Sequence, residues 1–362
     1  MPNRFLLFGV KGLFRLFAKP ERAAWHPKSI RSILLLNTTA LGDTLLTTPA
    51  LRAIRHAFPT ARLTVLASPL AKSVLLHNPH IDRIMDHPGR IRLASIPQLA
   101  RIVLALYREP HDLAVVLDGN DPDAAPLAYL SGADHRWGWA TCRMAELFTH
   151  PMDFNRPALH HIQIWQDHLA ALGIPFQGVE MEIALSDEET AEARRRCDAW
   201  SRPIIGLHPF AVKLRDKLWP WDRVMALGRA LSDMGYQPLL LGGPKEAAAA
   251  NRYARESGGS IASVAGILTL RQTMALMRQC AALITVDSGP MHMAQALHVP
   301  TVALYGPSDP RETGPLNHAI ILQKPFDCSP CGRRPCPFDV ACMKAISVDE
   351  VLNAVRSLLA PS

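Results

Sequence analysis

Three stretches of the sequence gather residue types able to hold an anion and to move a proton. The richest is Thr285-Val286-Asp287-Ser288-Gly289-Pro290-Met291-His292-Met293-Ala294. An apolar strand-like run leads into a small polar loop, and Pro290 stands where a helix would begin, a position its fixed φ and missing N–H suit. The N–H groups from Ser288 to His292 would then lack partners inside that helix and would suit a diphosphate. Ser288 adds a hydroxyl, and His292 a neutral or charged donor. A free Asp287 carboxylate would repel such a ligand, so its better role is to hold the loop or to bind through a neighbouring donor. An ordinary strand-to-helix turn with a capping Asp or Ser accounts for the same residues.

The second stretch is Thr38-Thr39-Ala40-Leu41-Gly42-Asp43-Thr44-Leu45-Leu46-Thr47-Thr48-Pro49. Gly42 permits close approach of the backbone to a substrate. Asp43 is then a carboxylate suited to taking a proton from an attacking hydroxyl; a helix-capping aspartate with no catalytic part is the simpler account. The third stretch, Lys213-Leu214-Arg215-Asp216-Lys217-Leu218-Trp219-Pro220, places three cations within five residues, as a phosphate site or a solvated loop would. His208, assigned to the same loop, reads as structural.

Four cysteines, Cys328, Cys331, Cys336 and Cys342, form a Cys-x₂-Cys-x₄-Cys-x₅-Cys cluster made loop-like by Pro330, Pro335 and Pro337. Four thiolates this close can close a tetrahedral zinc site or hold an iron–sulfur cluster, but the spacing fits no standard finger, and free thiols in a surface loop are the plainer reading. Cys142, Cys197 and Cys280 stand alone. No secretory signal is legible, which argues for a reducing compartment and against a disulfide framework.

The elements that must position these residues alternate short apolar runs with helical stretches, the pattern of an α/β protein with parallel sheets. Ile33-Leu34-Leu35-Leu36 reads as a buried strand ending in a polar, Gly-containing loop. A helix follows with Thr48 as N-cap, Pro49 in its first position, and Leu51, Ile54 and Phe58 at helical spacing. Strands are expected at Leu63–Ala67 and Leu113–Leu117, the latter closed by Asp118-Gly119-Asn120. A second cycle starts at Pro203–Leu207, with a helix from Asp222 to Met234, a strand Pro238–Leu241, a helix Arg271–Arg278 and strands Ala282–Val286 and Thr301–Tyr305. Two doubly wound, Rossmann-like domains facing across a cleft are the expected fold, with the loops at the carboxyl ends of the strands.

The chain has 362 residues, 48% hydrophobic and 20% charged, enough for two cores. Its net charge of +7 and pI of about 9.2 suit an anionic partner, either a phosphorylated ligand or a membrane surface. No zinc-finger, RNA-binding or helix-turn-helix signature accompanies the charge, so nucleic acid is not expected. No apolar run reaches the roughly 18–20 residues of a membrane span. Met1 to Ala24 interleaves Phe5, Leu6, Phe8, Leu13, Phe14 and Phe17 with Arg4, Lys11, Arg15 and Lys19. It reads as a basic amphipathic helix on an anionic membrane, or as a helix packed on its own domain.

Leu41-Gly42-Asp43 with Thr48-Pro49-Ala50-Leu51, Lys217-x-Trp219-Pro220, and Asp287-Ser288-Gly289-Pro290-x-His292 continuing to Pro300 and Tyr305-Gly306 together resemble the bacterial lipopolysaccharide heptosyltransferases, glycosyltransferase family nine. The resemblance runs from about Ser32 to Leu359. It implies a GT-B fold and an inverting transfer from ADP-L-glycero-D-manno-heptose to the lipopolysaccharide inner core, with no metal or other cofactor required. By the same resemblance Asp43 is the general base and Thr38, Thr39 and Gly42 form the acceptor-side loop. Lys217 contacts the donor diphosphate, Asp287, Ser288, Gly289 and His292 hold ADP and the heptose, and Leu268 lines the adenine pocket.

The implied organisation is a basic amphipathic segment at 1–30, an acceptor-binding domain at 31–185, a junction at 186–202, a nucleotide-sugar-binding domain at 203–345 containing the cysteine cluster, and a C-terminal helix at 346–362. The implied acceptor is a phosphorylated lipid A-core, met by a cytoplasmic enzyme peripheral to the inner membrane. Asn37 stands where several members have lysine, Val212 and Lys213 where some have paired threonines, and His208-Pro209-Phe210 where Pro-Gly-Ala is commoner. Another GT-B glycosyltransferase with a different nucleotide sugar and glycan, or a non-catalytic nucleotide-binding protein of this fold, are the competing readings. A dehydrogenase is disfavoured because no G-x-G-x-x-G follows any strand.

Overall fold

A computed structural model describes residues 25–89, 95–117, 124–153, 159–211, 215–331 and 336–360. The segment Met1–Ala24, the Asp118-Gly119-Asn120 turn and Val212-Lys213-Leu214 fall outside these residues, as does Pro335. The chain divides into two compact units, one of Met1–Pro157 with Ile162–Gly178, the other of Ala158–His161 with Val179–Ser362.

The first unit is built on six parallel strands: β1 (Ser32–Asn37), β2 (Arg62–Ala67), β3 (Arg83–Asp86), β4 (Leu113–Val116), β5 (His135–Trp139) and β6 (His150–Met152), in the order β3-β2-β1-β4-β5-β6. Ile33, Leu34, Leu35 and Leu36 are all essentially inaccessible. An unbroken apolar run is what a central strand covered by helices on both faces requires. Leu35 sits in register with Val65 of β2 and Val115 of β4, so the sheet's core is a row of branched aliphatic side chains.

The second unit repeats the plan with β7 (Ile204–His208), β8 (Gln237–Leu240), β9 (Ala262–Ser263), β10 (Ala282–Val286), β11 (Thr301–Tyr305) and β12 (Ala319–Gln323), in the order β12-β11-β10-β7-β8-β9. Counted from each unit's own first strand, the two orders are the same. The direction of strand addition reverses between β1 and β4 and again between β7 and β10. Open α/β sheets hold ligands at the carboxyl ends of strands flanking such a reversal. The sequence stretches Thr38–Asp43 and Asp287–His292 follow β1 and β10, so each lies at its own unit's reversal.

Local differences from the sequence expectation have identifiable causes. Gly42 and Asp43 do not lie in a loop; they belong to the first turn of a short helix, Leu41–Leu46. Thr48 does not cap the next helix, Thr48–Ala57; Thr47 stands at the cap position without a capping side-chain bond. The two helices abut, so the threonine hydroxyls turn back to the carbonyls of the first: Thr47 Oγ1 donates to Thr44 O (2.7 Å) and Thr48 Oγ1 to Leu45 O (2.8 Å). His208 ends β7 and is buried; it is not a loop residue.

The charged segment after Ser186 forms the helix Asp187–Cys197, with a capping box between Ser186 and Glu189. Three acids in its first turn and three arginines in its last complement the helix dipole. Glu189 also pairs with Arg271 on the helix Leu270–Met277, fixing the segment within the second unit. The C-terminal helix Val348–Leu359, capped by Ser347 and Glu350, buries Val351, Leu352, Ala354 and Val355 in that unit's core. No helix among the described residues is long and apolar enough to cross a membrane.

Candidate active site

In the second unit, β10 delivers Asp287 and Ser288 to the start of the helix Gly289–Ala296, with Pro290 in its first turn. The available amides are fewer than the sequence suggests. Pro290 has no N–H, and the Met291 N–H donates to Ser288 O at 3.0 Å. Ser288 stands at the N-cap position, but its hydroxyl is turned to the strand below, donating to Val286 O (3.1 Å) and lying 3.3 Å from His208 Nδ1. His208 thereby links the end of β7 to the loop after β10, and Thr285 Oγ1 adds a bond to His208 O at 3.2 Å. Burial holds His208 down at about 4, so its imidazole is neutral at pH 7.

Lys217, in the single turn Arg215–Lys217, forms an ion pair with Asp287. The two side chains are 16% and 10% exposed, so the pair is largely out of water. Asp287 is thus no free anion; it is held by a neighbouring donor, one of the two roles its chemistry allowed. Two residues after Lys217, the buried indole of Trp219 donates to Ile346 O at 3.1 Å and anchors the chain there.

One turn into the helix, His292 is 5% exposed, and its Nδ1 has no hydrogen-bond partner among the described residues. Burial pushes it down to about 4; Asp287 pulls the other way, while His160, His161 and Lys217 reinforce the depression. A neutral imidazole carries one donor and one acceptor nitrogen, and a buried nitrogen without a partner is costly unless a ligand supplies one. Tyr305, at the end of β11, is buried, and its hydroxyl is pushed well above the usual phenol range by burial and by Asp287. His160 lies at a short crossing of the chain into this unit and contacts Gly314 O through Nε2 (3.0 Å). Sequence spacing gave no signal for His160 and His161, which lie more than 120 residues from the loop they influence. Leu268 is buried immediately before Thr269, the N-cap of Leu270–Met277.

In the first unit, Thr38, Thr39, Gly42 and Asp43 are half-buried around the end of β1. The group that organises them is Asn37, which is fully buried. Its Oδ1 accepts from Thr44 Oγ1 (2.9 Å) and Thr39 Oγ1 (3.3 Å), and its Nδ2 donates to Thr47 Oγ1 (3.1 Å). A neutral amide can both donate and accept there, which a lysine could not. Asp43 lies one residue before Thr44, so this network sets where the carboxylate-bearing turn sits.

Cys328, Cys331, Cys336 and Cys342 line one small cavity with Phe326 and Phe338. Among the described residues no group of three or more His, Cys, Asp or Glu side chains is arranged to hold a metal ion, and all seven cysteines are free.

The family model for glycosyltransferase family 9 (heptosyltransferase) matches residues 82–341, more than two thirds of the chain. The chain belongs to glycosyltransferase family 9. The matched span contains Lys217, Leu268 and Asp287–His292, and begins after Asp43. Among its relatives, lipopolysaccharide heptosyltransferase 2 of Escherichia coli K12 is 28% identical over 306 residues, 79% of this chain and 86% of the relative. Lipooligosaccharide heptosyltransferase 2 of Haemophilus ducreyi is 26% identical over 316 residues, covering 82% and 89%. Two solved structures share the GT-B fold of this family 9 chain at 25% identity. A family 9 glycosyl transferase from Veillonella parvula has a TM-score of 0.79, covering 92% of this chain and 98% of its own. The E. coli ADP-heptose heptosyltransferase II has 0.75, covering 91% and 98%.

Proposed function

We propose that this glycosyltransferase moves heptose from ADP-L-glycero-D-manno-heptose to the phosphorylated inner core of lipopolysaccharide, with inversion and without a metal ion. The observation that carries the reading is the desolvated Lys217–Asp287 pair at the start of a helix whose buried His292 keeps an unpartnered nitrogen. The relatives' names point to ADP-heptose and lipopolysaccharide, and the sequence resemblance implies the isomer and the phosphorylated inner core.

In this reading the acceptor hydroxyl attacks the anomeric carbon from the face opposite the nucleotide, and Asp43 takes its proton. The C–O bond to the diphosphate breaks with its electrons leaving on ADP. Lys217, the Ser288 and Gly289 region and His292 stabilise that developing charge, and Leu268 packs by the adenine. Thr38, Thr39 and Gly42 border the acceptor. The first unit is the acceptor side and the second the donor side, and the enzyme works at the cytoplasmic face of the inner membrane as a peripheral protein.

The test incubates purified protein with ADP-heptose and a panel of truncated core acceptors, following ADP release with EDTA present, beside an Asp43→Ala variant. The reading expects acceptor-dependent release that survives the chelator and falls at least a hundredfold in the variant. Folded protein that releases no ADP with any acceptor would sink it and favour another nucleotide sugar or a non-catalytic role.

A further inference from the structure

We propose that the exposed face of the helix Ile96–Arg108 is the surface by which this protein rests on an anionic lipid bilayer. The helix is apolar nearly all the way round: Ile-Pro-Gln-Leu-Ala-Arg-Ile-Val-Leu-Ala-Leu-Tyr-Arg, with no acidic residue. Ile102 and Leu106 face the core and are buried. On the other side Ile96, Leu104 and Tyr107 are 53%, 46% and 80% exposed. Pro97, Ala100, Arg101 and Arg108 are exposed with them. At 3.6 residues per turn these seven positions fall within an arc of about 140°, with Ile96 and Tyr107 on one border, Ala100, Leu104 and Pro97 across its centre and both arginines on the other border. A helix apolar on both faces ordinarily has cover on both. Here the outer cover must accept an apolar centre and a cationic edge, which the interface of an anionic bilayer does and bulk water does not.

The position of the helix names the same occupant. It follows β3, so its Ile96 end starts at the carboxyl edge of the sheet, where Gln98 Nε2 donates to Asp86 O at 3.2 Å. The neighbouring strand β2 leads at the same edge into the helix Pro69–Leu75, which exposes Leu70 by 51% and is capped by Ser68. Ser68 Oγ in turn reaches Thr39 O, in the acceptor-side loop after β1, at 3.3 Å. The apolar surface therefore begins about two strand spacings, roughly 10 Å, from that loop. An acceptor anchored in a bilayer presents its sugars close to the headgroups, and a docking face beside the loop brings both together. This placement rests on the proposed acceptor being a lipid.

The experiment is co-sedimentation of the full chain with vesicles of phosphatidylcholine containing 30% phosphatidylglycerol, beside pure phosphatidylcholine. Wild type is expected to bind the anionic vesicles more tightly. Leu104→Glu with Tyr107→Glu, both solvent-facing changes, should lower that binding at least tenfold. Arg101→Ala and Arg108→Ala should each lower it about fivefold, the equivalent of ~1 kcal/mol per cation near such a surface. Far-UV dichroism checks the fold, and ADP release with a delipidated core oligosaccharide should be unchanged in every variant. Undiminished vesicle binding by the double variant would overturn the proposal and leave Met1–Ala24 as the contact. A wild-type dimer that the double variant converts to monomer would overturn it too, by making the face an interface between copies. Vesicle binding that depends on this helix, in protein that transfers no sugar, would uphold the surface and refute the acceptor assignment instead.

Discussion

Replacing Lys217 by methionine separates the structural work of the ion pair from its proposed work on the leaving group. Lys217 and Asp287 are 16% and 10% exposed, so the substitution leaves a carboxylate without its partner in a site that water barely reaches. Breaking a pair this desolvated costs about 3 kcal/mol, most of it the penalty on the charge left behind. In a unit of this size that is a fall in Tm of roughly 6–12 °C. Adding Asp287→Asn removes the stranded charge, and stability should return to within about 1 kcal/mol of wild type. Catalysis should not return, because a cation that acts on the departing diphosphate is worth roughly 10² to 10³ in rate.

Thermal and urea unfolding of wild type, Lys217→Met, Asp287→Asn and the double variant close a cycle, read beside initial rates of ADP release. A Lys217→Met protein as stable as wild type would show that the pair is not desolvated. A double variant turning over within tenfold of wild type would show that Lys217 only holds the loop.

Three further outcomes follow from the same structure. His208 and His292 are held by burial at about 4, against 6.5 when unfolded, so the unfolded chain binds their protons first as pH falls. Their stabilisation is complete above pH 6.5 and is lost towards pH 4, at roughly 1.4 kcal/mol per pH unit for each group, a slope that urea titrations at pH 7, 6 and 5 would measure. Asn37→Leu keeps the branching but loses the amide that contacts three threonine hydroxyls, and should cost about 2 kcal/mol and lower the rate at least tenfold, measured by Tm and initial velocity. Burial raises the Cys280 thiol to about 12 and also raises Cys342, so iodoacetamide at pH 8 with mass-spectrometric readout should modify these two after the half-exposed Cys328, Cys331 and Cys336.

Most of the strands were legible because a strand covered on both faces is an unbroken apolar run, as at Ile33–Leu36 and Ala282–Val286. The motif at Asp287–His292 was legible for a related reason: an apolar run ending in small polar residues and proline has few structures open to it. What could not be read was anything set by how side chains meet once the elements have formed. Asn37 looked only like a departure from the family, yet it is the hydrogen-bonding centre of the turn that carries Asp43. A loop is expected where the helix Leu41–Leu46 forms, because Gly42 and Thr44 weigh against helix locally. The buried threonine bonds to backbone carbonyls that offset this appear only once Leu41–Leu46 and Thr48–Ala57 abut. His208 reads as a loop residue because its polarity hides that its backbone completes β7.

The two units share one strand order but hold opposite chemistry at their reversals, and that difference fits a displacement reaction. After β1 the groups are an amide, threonine hydroxyls and one carboxylate, that of Asp43. After β7 and β10 they are a lysine, a neutral buried histidine and the start of a helix. An inverting transfer has a nucleophile pole that needs a base and a leaving-group pole that needs positive potential, and mixing the two would weaken both. Because Lys217 is already paired with Asp287, a diphosphate bound as proposed would meet a cation stripped of most of its water. In the proposed reaction it would exchange one anionic partner for another at that lysine, so the desolvation would have been met in folding and the charge that develops on ADP would find its partner in place.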